Sequence, residues 1–533
     1  MYRETDRDKE NSYYSIKIIS SNIYVYTACF VSLDAFNILS LDSVSNYYRK
    51  YSAFRKEGHF HYIHRTHFGS YSFICVDATL TPGPKRPYNF YGILNQTGVT
   101  ELAALAEESH HSNQSIWFGH YTTSTIISAA PGIRQVMSSA TAYLCGHLHT
   151  LGGLMPVLHS QHRQGTLELE LGDWMINRRY RIAAFDHDLF SFSDLSFDVW
   201  PAVLITNPKA TLYSNPAQEP LGRIRNSTHI RILAFSTSSI SSVLVSIDGI
   251  DLGNAVSTSG PLFVLKWDPM SYSKGLHYIY VKVQDDTGRT VSKEHVFTLE
   301  DDVPLRFNLL PSFILLTDHY ILVRIIFFLS IAVHVSIIIV FRYLKKPVPK
   351  EPPGLLTSAC LSLHAFSKSN NFYYPILLFS LYTVVGPWFV GELIDGHVGV
   401  CFTFGLIVNG HFLEGSLTYL VGTMQVVCFN FPLNCYLCWC LSLRCRGHCF
   451  RAHVRDIGVL RTVPVHLIML LCFIWQSYSC VFLLQTYGVL AFFISPQRTW
   501  SLILTVILIR KTWTSTDSHL RTYIAEMKNY HAS

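Results

Sequence analysis

Charged side chains are scarce in this chain: Asp, Glu, Lys and Arg make up 15% of its 533 residues, against about 25% in an ordinary soluble domain. Together with an aromatic content of 14%, that scarcity points to membrane-buried length. No strongly basic domain stands out, because the net charge of +6 is modest and sits mostly in loops beside apolar runs. A nucleic-acid partner is therefore not implied. Cysteine is sparse where a secreted scaffold would need it: only Cys29, Cys75 and Cys145 precede the apolar runs, which excludes a disulfide framework. Cys435, Cys438, Cys440, Cys445 and Cys449, with His448, have a superficially zinc-like spacing, but Trp439 and Leu441 interrupt it at a span's end. Membrane-proximal cysteines open to palmitoylation are the preferred reading. A typical signal peptide is also lacking, since Arg3, Asp6, Arg7, Asp8, Lys9 and Glu10 mix both signs. Ile18 to Leu33 is apolar but carries Ser20, Ser21 and Asn22, short of the roughly 18 uninterrupted residues of a span. It is a weak anchor at most.

What is present sorts into regions, as a chain of this length predicts. Gly69 to Ala78 reads as a strand, Pro82 to Pro87 as a turn-rich loop, and Thr97 to Ser109 as a helix with Thr100 as cap. Ser45 to Tyr51 reads as helical. Thr166 to Leu171 alternates as a half-exposed strand, and Tyr180 to Phe192 as a hairpin; Asp173, Asp186, His187 and Asp188 mark turns. From Pro201 to Glu300 short alternating runs are separated by Asp248-Gly249, Gly260-Pro261 and Asp286-Thr287-Gly288, the rhythm of a β-sandwich with Phe263 and Trp267 in its core.

The apolar runs follow. His319 to Phe341 predicts a first span, and Arg342, Lys345, Lys346 and Lys350 after it belong in the cytosol by the positive-inside rule. Everything upstream should then be luminal or extracellular, in keeping with sequons at Asn95, Asn113 and Asn226. A second basic loop holds Arg444, Arg446, Arg451, Arg455 and Arg461, so an even number of crossings should separate the two. Phe372 to Ile394 and Ser416 to Leu441 supply them, with Val398 to Leu413 as a luminal or re-entrant stretch. Val463 to Tyr487 and a segment ending at Ile509 complete about five spans, before a cytosolic tail. Arg324, Glu392, Asp395 and Glu414 are the main ionisable groups near hydrophobic depth. All but Arg324 read as interfacial.

The chemistry concentrates earlier. Ser115-Ile116-Trp117-Phe118 stops at Gly119 and is followed by His120; Thr141 to Cys145 stops at Gly146 and is followed by His147-Leu148-His149. A buried strand ending at glycine can deliver an imidazole into a crevice. Neutral imidazoles leaving one tight turn suit metal ligation, so His120, His147 and His149 are the candidate ligands.

Gly119-His120 and Gly146-His147-Leu148-His149 resemble the last two metal motifs of the calcineurin-like metallophosphoesterases. The resemblance implies a βαβ-sandwich fold, phosphoester hydrolysis, and divalent ions such as Zn, Mn or Fe. It implies that His120 and His147 share one ion while His149 binds its neighbour. The family's upstream Asp-x-His and Gly-Asp-x-x-Asp motifs are missing. Asp34-Ala35-Phe36-Asn37 looks like the tail of its Gly-Asn-His-Asp motif, yet Val31-Ser32-Leu33 stands where Gly-Asn-His would be. Residues 1–33 thus read as a replacement for the domain's first part, as alternative splicing or an incorrect gene model would produce. Two dications about 3.5–4 Å apart need a bridging carboxylate or hydroxide, and three neutral imidazoles supply no negative charge. No catalytic residue is assigned.

The expected chain is α+β. A divergent N-terminus (1–33) precedes a truncated metallophosphoesterase-like β-sandwich with helices (34–198). An all-β Ig-like sandwich (199–303), an α-helical transmembrane bundle (319–511) and a cytosolic tail (512–533) follow. The leading expectation is a bilayer-embedded, catalytically impaired phosphoesterase whose substrate the sequence does not identify. The competing ones are a non-enzymatic luminal scaffold or binding protein and, behind it, a transporter.

Overall fold

The computed structural model describes residues 58–80, 82–300, 305–345, 359–415 and 417–515, the isolated residues 518, 521 and 525, and the backbone of 14–20, 23–29 and 355–358. The readings at Asp34 to Asn37 and Ser45 to Tyr51 lie outside them. The chain divides into two units, Met1–Pro82 with Tyr91–Asp318, and Gly83–Phe90 with His319–Ser533.

In the first unit, strands β1 (Tyr14–Ser20) and β2 (Ile23–Cys29) form a hairpin. The described part of the apolar stretch from Ile18, 18–20 and 23–29, is therefore extended where an anchor would be helical. Next come β3 (Phe60–Thr66), β4 (Gly69–Val76), β5 (Gly92–Leu94), helix α1 (Gln96–Ser109), β6 (Gln114–Gly119), β7 (Ile126–Ser128), β8 (Ala142–Cys145), β9 (His159–Gln161) and β10 (Leu167–Glu170). The hairpin of β11 (Arg179–Asp186) and β12 (Leu189–Ser196) closes this part. One sheet has the order β3-β4-β6-β8-β10-β9, its four central strands parallel, and a second has the order β12-β11-β1-β2.

Strand periodicity explains the layers. Tyr71, Phe73 and Cys75 point with Phe118, Leu144 and Leu169 toward Ala183 and Phe190 of the second sheet. Ile74 and Val76 point the opposite way, into a core with Trp117, Tyr143 and α1's Val99, Leu102 and Ala106. Each buried Val, Leu, Ile or Phe among them contributes roughly 1.5–3 kcal/mol. The cap of α1 is Asn95, whose side chain accepts from Gly98 N at 2.9 Å; Thr100 lies inside the helix and donates to Gln96 O. β10 corrects the half-exposed reading, because Glu168 and Glu170 are as buried as Leu167 and Leu169. Both its faces are covered, and its acidic face meets polar partners instead of water.

Strands β13 (Ala202–Asn207), β14 (His229–Phe235), β15 (Ile240–Ile247), β16 (Ile250–Asn254), β17 (Val256–Ser259), β18 (Leu262–Lys266), β19 (His277–Asp285) and β20 (Thr290–Phe297) form two antiparallel sheets, β13-β14-β18-β17 and β16-β15-β19-β20. Their inward residues share one core that includes Phe263 and Trp267. Helix α2 (Leu309–Leu316) ends this unit, held through Ser312 to Ser160 and through its last turn to Arg134.

The second unit holds α3 (His319–Tyr343), α4 (Leu355–Lys368), α5 (Asn370–Val385), α6 (Leu417–Cys445), α7 (Val459–Tyr487) and α8 (Val489–Thr514). Among the described residues four of these, α3, α6, α7 and α8, are long and apolar enough to cross a membrane, where about five were expected. The difference lies at Phe372 to Ile394. Gly386-Pro387 ends α5 because proline lacks an N–H and keeps its predecessor out of helical geometry. The chain then becomes strand β21 (Phe389–Ile394) of a meander with β22 (His397–Phe402), β23 (Gly405–Val408) and β24 (His411–Glu414). Asn409 (φ 50°) and Gly410 (φ 79°) make its last turn, the primed geometry that Asn-Gly favours. The stretch read as luminal or re-entrant is this meander.

The helix ends sort into two groups. At one, Arg342 donates to Ser367 O and Asn370 Oδ1, Asn371 to Ser515, and Arg444 to Thr512 O. At the other, the C-terminal end of α5 meets α8 partway along its length, where Thr383 accepts from Gln497 and Trp388 O from Ser495. The singled-out charges pair: Arg324 with Glu414, and Lys85 Nζ with Asp395 at 3.1 Å and Glu392 at 3.4 Å.

Candidate functional site

The parallel strands β4, β6 and β8 end together, Val76 beside Gly119 and Phe118 beside Leu144. Side chains just past these ends therefore gather at one sheet edge, where ligands of open α/β sheets bind. Gly119 is demanded by close packing, since a Cβ there would lie 2.8 Å from Val76 O and from Tyr143 Oη. The segment after β6 bonds onward to the next strand end, Gly146 N donating to His120 O at 3.0 Å.

This places His120 and His147 in contact, His147 Nδ1 lying 2.9 Å from His120 Nε2 with the rings edge to face. The Tyr121 ring packs on both. Burial, helped by His147 and His149, holds His120 well below the usual imidazole range, so it is neutral. His149 goes elsewhere. Its backbone is left-handed (φ 53°), its backbone N–H donates to Glu170 Oε1 at 2.5 Å, and its ring is hydrogen-bonded to the Gly146 backbone; burial lowers its pKa, opposed by the charge of Asp173 and by that bond.

Around the pair lie acidic groups that sequence reasoning left out. Glu170 is buried, and burial raises its carboxyl to about 8. Burial would raise Glu168 as well, but His162 Nε2 at 2.6 Å, with Thr123 N and Oγ1, holds it below the ordinary value. Asp77 follows β4 as His120 follows β6, and its Oδ1 accepts from Thr79 N and Oγ1. An apolar run stopping at an acid was the legible signal for Asp77. For the glutamates the signal was ambiguous, since alternation alone cannot tell water from a buried partner.

These groups do not close into a metal shell. A zinc site draws on three or four protein ligands, and among the described residues no cluster of three or more His, Cys, Asp or Glu side chains could hold an ion. His120 and His147 bond to each other, and His149 bonds through its ring to the Gly146 backbone and through its backbone N–H to Glu170. The cysteine-rich stretch near Cys440 gives no such cluster either.

The sequons differ in setting. Asn95 is exposed and caps α1 through its oxygen, and Asn226 is exposed after a short helical turn. Asn113 uses both ends of its amide, accepting from Ser70 N and donating to Asp188 Oδ1, each at 3.2 Å.

Fold and site together define a membrane protein with an α+β unit, a strand-end histidine pair and an Ig-like sandwich. Residues 197–303 match the family model for the TMEM62 Ig-like domain, and 313–496 that for the TMEM62 C-terminal domain. Transmembrane protein 62 of Mus musculus is 58% identical over 500 residues, 94% of this chain and 78% of the mouse protein. An Arabidopsis thaliana protein named "Putative metallophosphoesterase" is 25% identical over 68% of this chain and 59% of its own length. No solved structure matches. The chain belongs to the transmembrane protein 62 family.

Proposed function

We propose that this chain is a multi-pass membrane protein whose non-cytosolic part has a calcineurin-like metallophosphoesterase fold that is catalytically impaired here. The observation that carries the reading is the pair His120 and His147, delivered by adjacent parallel strand ends yet bonded to each other. The distant metallophosphoesterase relative supports the fold and suggests divalent metal use in the family. A two-metal hydrolase activates water between ions held by carboxylates, and the described residues assemble no such group. No hydrolytic step is assigned to them.

Orientation follows from charge. The helix-end group at Arg342 and Arg444 is the basic one and belongs in the cytosol. Helix α5 has 16 residues, about 24 Å, and runs from that group to the one at Thr383. We count it as the fifth crossing, which puts the first unit in the lumen or outside the cell, the sequons Asn95, Asn113 and Asn226 with it, and the C-terminus in the cytosol.

The test uses the purified full-length chain, with bound metal measured and a generic phosphodiester assayed with and without Mn²⁺ or Zn²⁺. No turnover above background is expected. Turnover abolished by His147→Ala would overturn the impaired reading. The scaffold alternative gains if neither metal nor turnover is found while a luminal partner is retained.

A further inference from the structure

The second unit buries a cation without an anion. Arg498 lies on α8, and its Nη1 donates to Gln425 Oε1 of α6 and, at 3.2 Å, to Gln476 Oε1 of α7. Its guanidinium also stands 5.7 Å from the Trp475 ring centre. The titratable groups facing it are Tyr88, Cys480 and Cys401, all uncharged at neutral pH, and none of its partners among the described residues is a carboxylate. An arginine cannot shed its proton, and burying a cation costs several kcal/mol unless a negative charge answers it. Amide dipoles meet only part of that need.

The surroundings are built as a site. Gln425 donates on to Asn430 Oδ1 at 3.1 Å, leaving Asn430 Nδ2 buried with no hydrogen-bond partner. Gln476 donates to Gln497 O and Ser501 Oγ, and Gln497 Oε1 is likewise buried without one. Two π-helical turns, Val426–Asn430 and Pro496–Trp500, meet at this cluster. Such turns recur at functional sites, where they re-aim side chains out of the regular ladder. A charged residue at membrane depth marks a functional site by default. The donors left over are those of the guanidinium fork and the Asn430 amide. Two parallel N–H groups of a fork fit two oxygens of one oxyanion, and Gln497 Oε1 can accept from a protonated oxygen of the same group.

We propose that Arg498, with Gln425, Gln476 and Asn430, forms an intramembrane binding site for a phosphate-type oxyanion, supplied either by a lipid headgroup or by free phosphate. The site is independent of the phosphoesterase reading.

The test takes the full chain in lipid nanodiscs. One arm adds inorganic phosphate to phosphatidylcholine discs; the other replaces part of that lipid with phosphatidic acid, without phosphate. A rise in melting temperature of about 3–6 °C is expected at tenfold the dissociation constant. A rise with phosphate alone assigns a solute site, and one with phosphatidic acid alone a headgroup site. Arg498→Gln should abolish it. Because that variant can fail to fold, Gln425→Glu serves as the second: it sets a carboxylate against the guanidinium, and should weaken binding at least tenfold while raising the ligand-free melting temperature. No rise with either probe, or a rise that survives Gln425→Glu, overturns the proposal.

Discussion

The two units bury charge in different ways. In the first, buried ions come with partners of opposite sign, Lys209 with Glu219 at 2.6 Å and Arg181 with Asp194 at 2.5 Å, while buried Glu168 is hydrogen-bonded by His162 at 2.6 Å and by Thr123. In the second, Arg498 is met by amides. The histidine pair stands between these solutions, since an imidazole can discard its proton on burial and needs no counter-ion. The contrast shows that a buried group able to lose its charge can be left facing a like neighbour, whereas a guanidinium must be answered from within the protein or from outside it.

The largest effect should come from breaking a pair. Glu219→Ala strands the Lys209 ammonium and should cost about 3–5 kcal/mol, read by chemical unfolding of the full chain in detergent. The double change of Lys209→Met with Glu219→Leu should restore most of it. Arg498→Met should cost less, about 1–3 kcal/mol, because it leaves two glutamine carbonyls unpaired but also removes a buried charge. A loss as large as that of Glu219→Ala would mean the amides alone balance the arginine.

Acid should separate the units next. Arg181 beside Asp194 and His162 beside Glu168 hold both carboxyls below their ordinary values despite burial. A lowered folded pKa gives stability that is fully present above the unfolded value, about 4, and lost as pH falls through the folded one. Amide exchange in the first unit should therefore accelerate below about pH 4, with α6 to α8 unaffected through Arg498. Equal acceleration in both would break the comparison. The smallest effect concerns the cap: Asn95→Ala should cost about 1 kcal/mol and Thr97→Ala almost nothing, although both remove the sequon. Electrophoretic mobility, compared with and without glycosidase, reports whether that asparagine is modified.

Much of this was legible beforehand. The strand-end histidines announced themselves because apolar runs stopped at glycine, the Ig-like sandwich through its turns, and α3, α6 and α7 through length and low charge. Glu168 and Glu170 were misread, because a Leu-Glu alternation looks the same whether its polar side meets water or His162 and Thr123. Arg498 was passed over because a single charge among Pro496, Gln497 and Thr499 looks like a loop.

The sequence by itself determined which segments are extended, helical or membrane-long, because periodicity and hydropathy are local properties of consecutive residues. Only the tertiary structure decided which polar groups meet. His120 reaches His147, Gly386-Pro387 ends α5 and turns the last part of the expected span 372–394 into a meander strand, and Arg498 finds glutamines from two other helices. Partnership between residues far apart in the chain depends on strand register and helix packing, and those are settled by the burial of the whole unit.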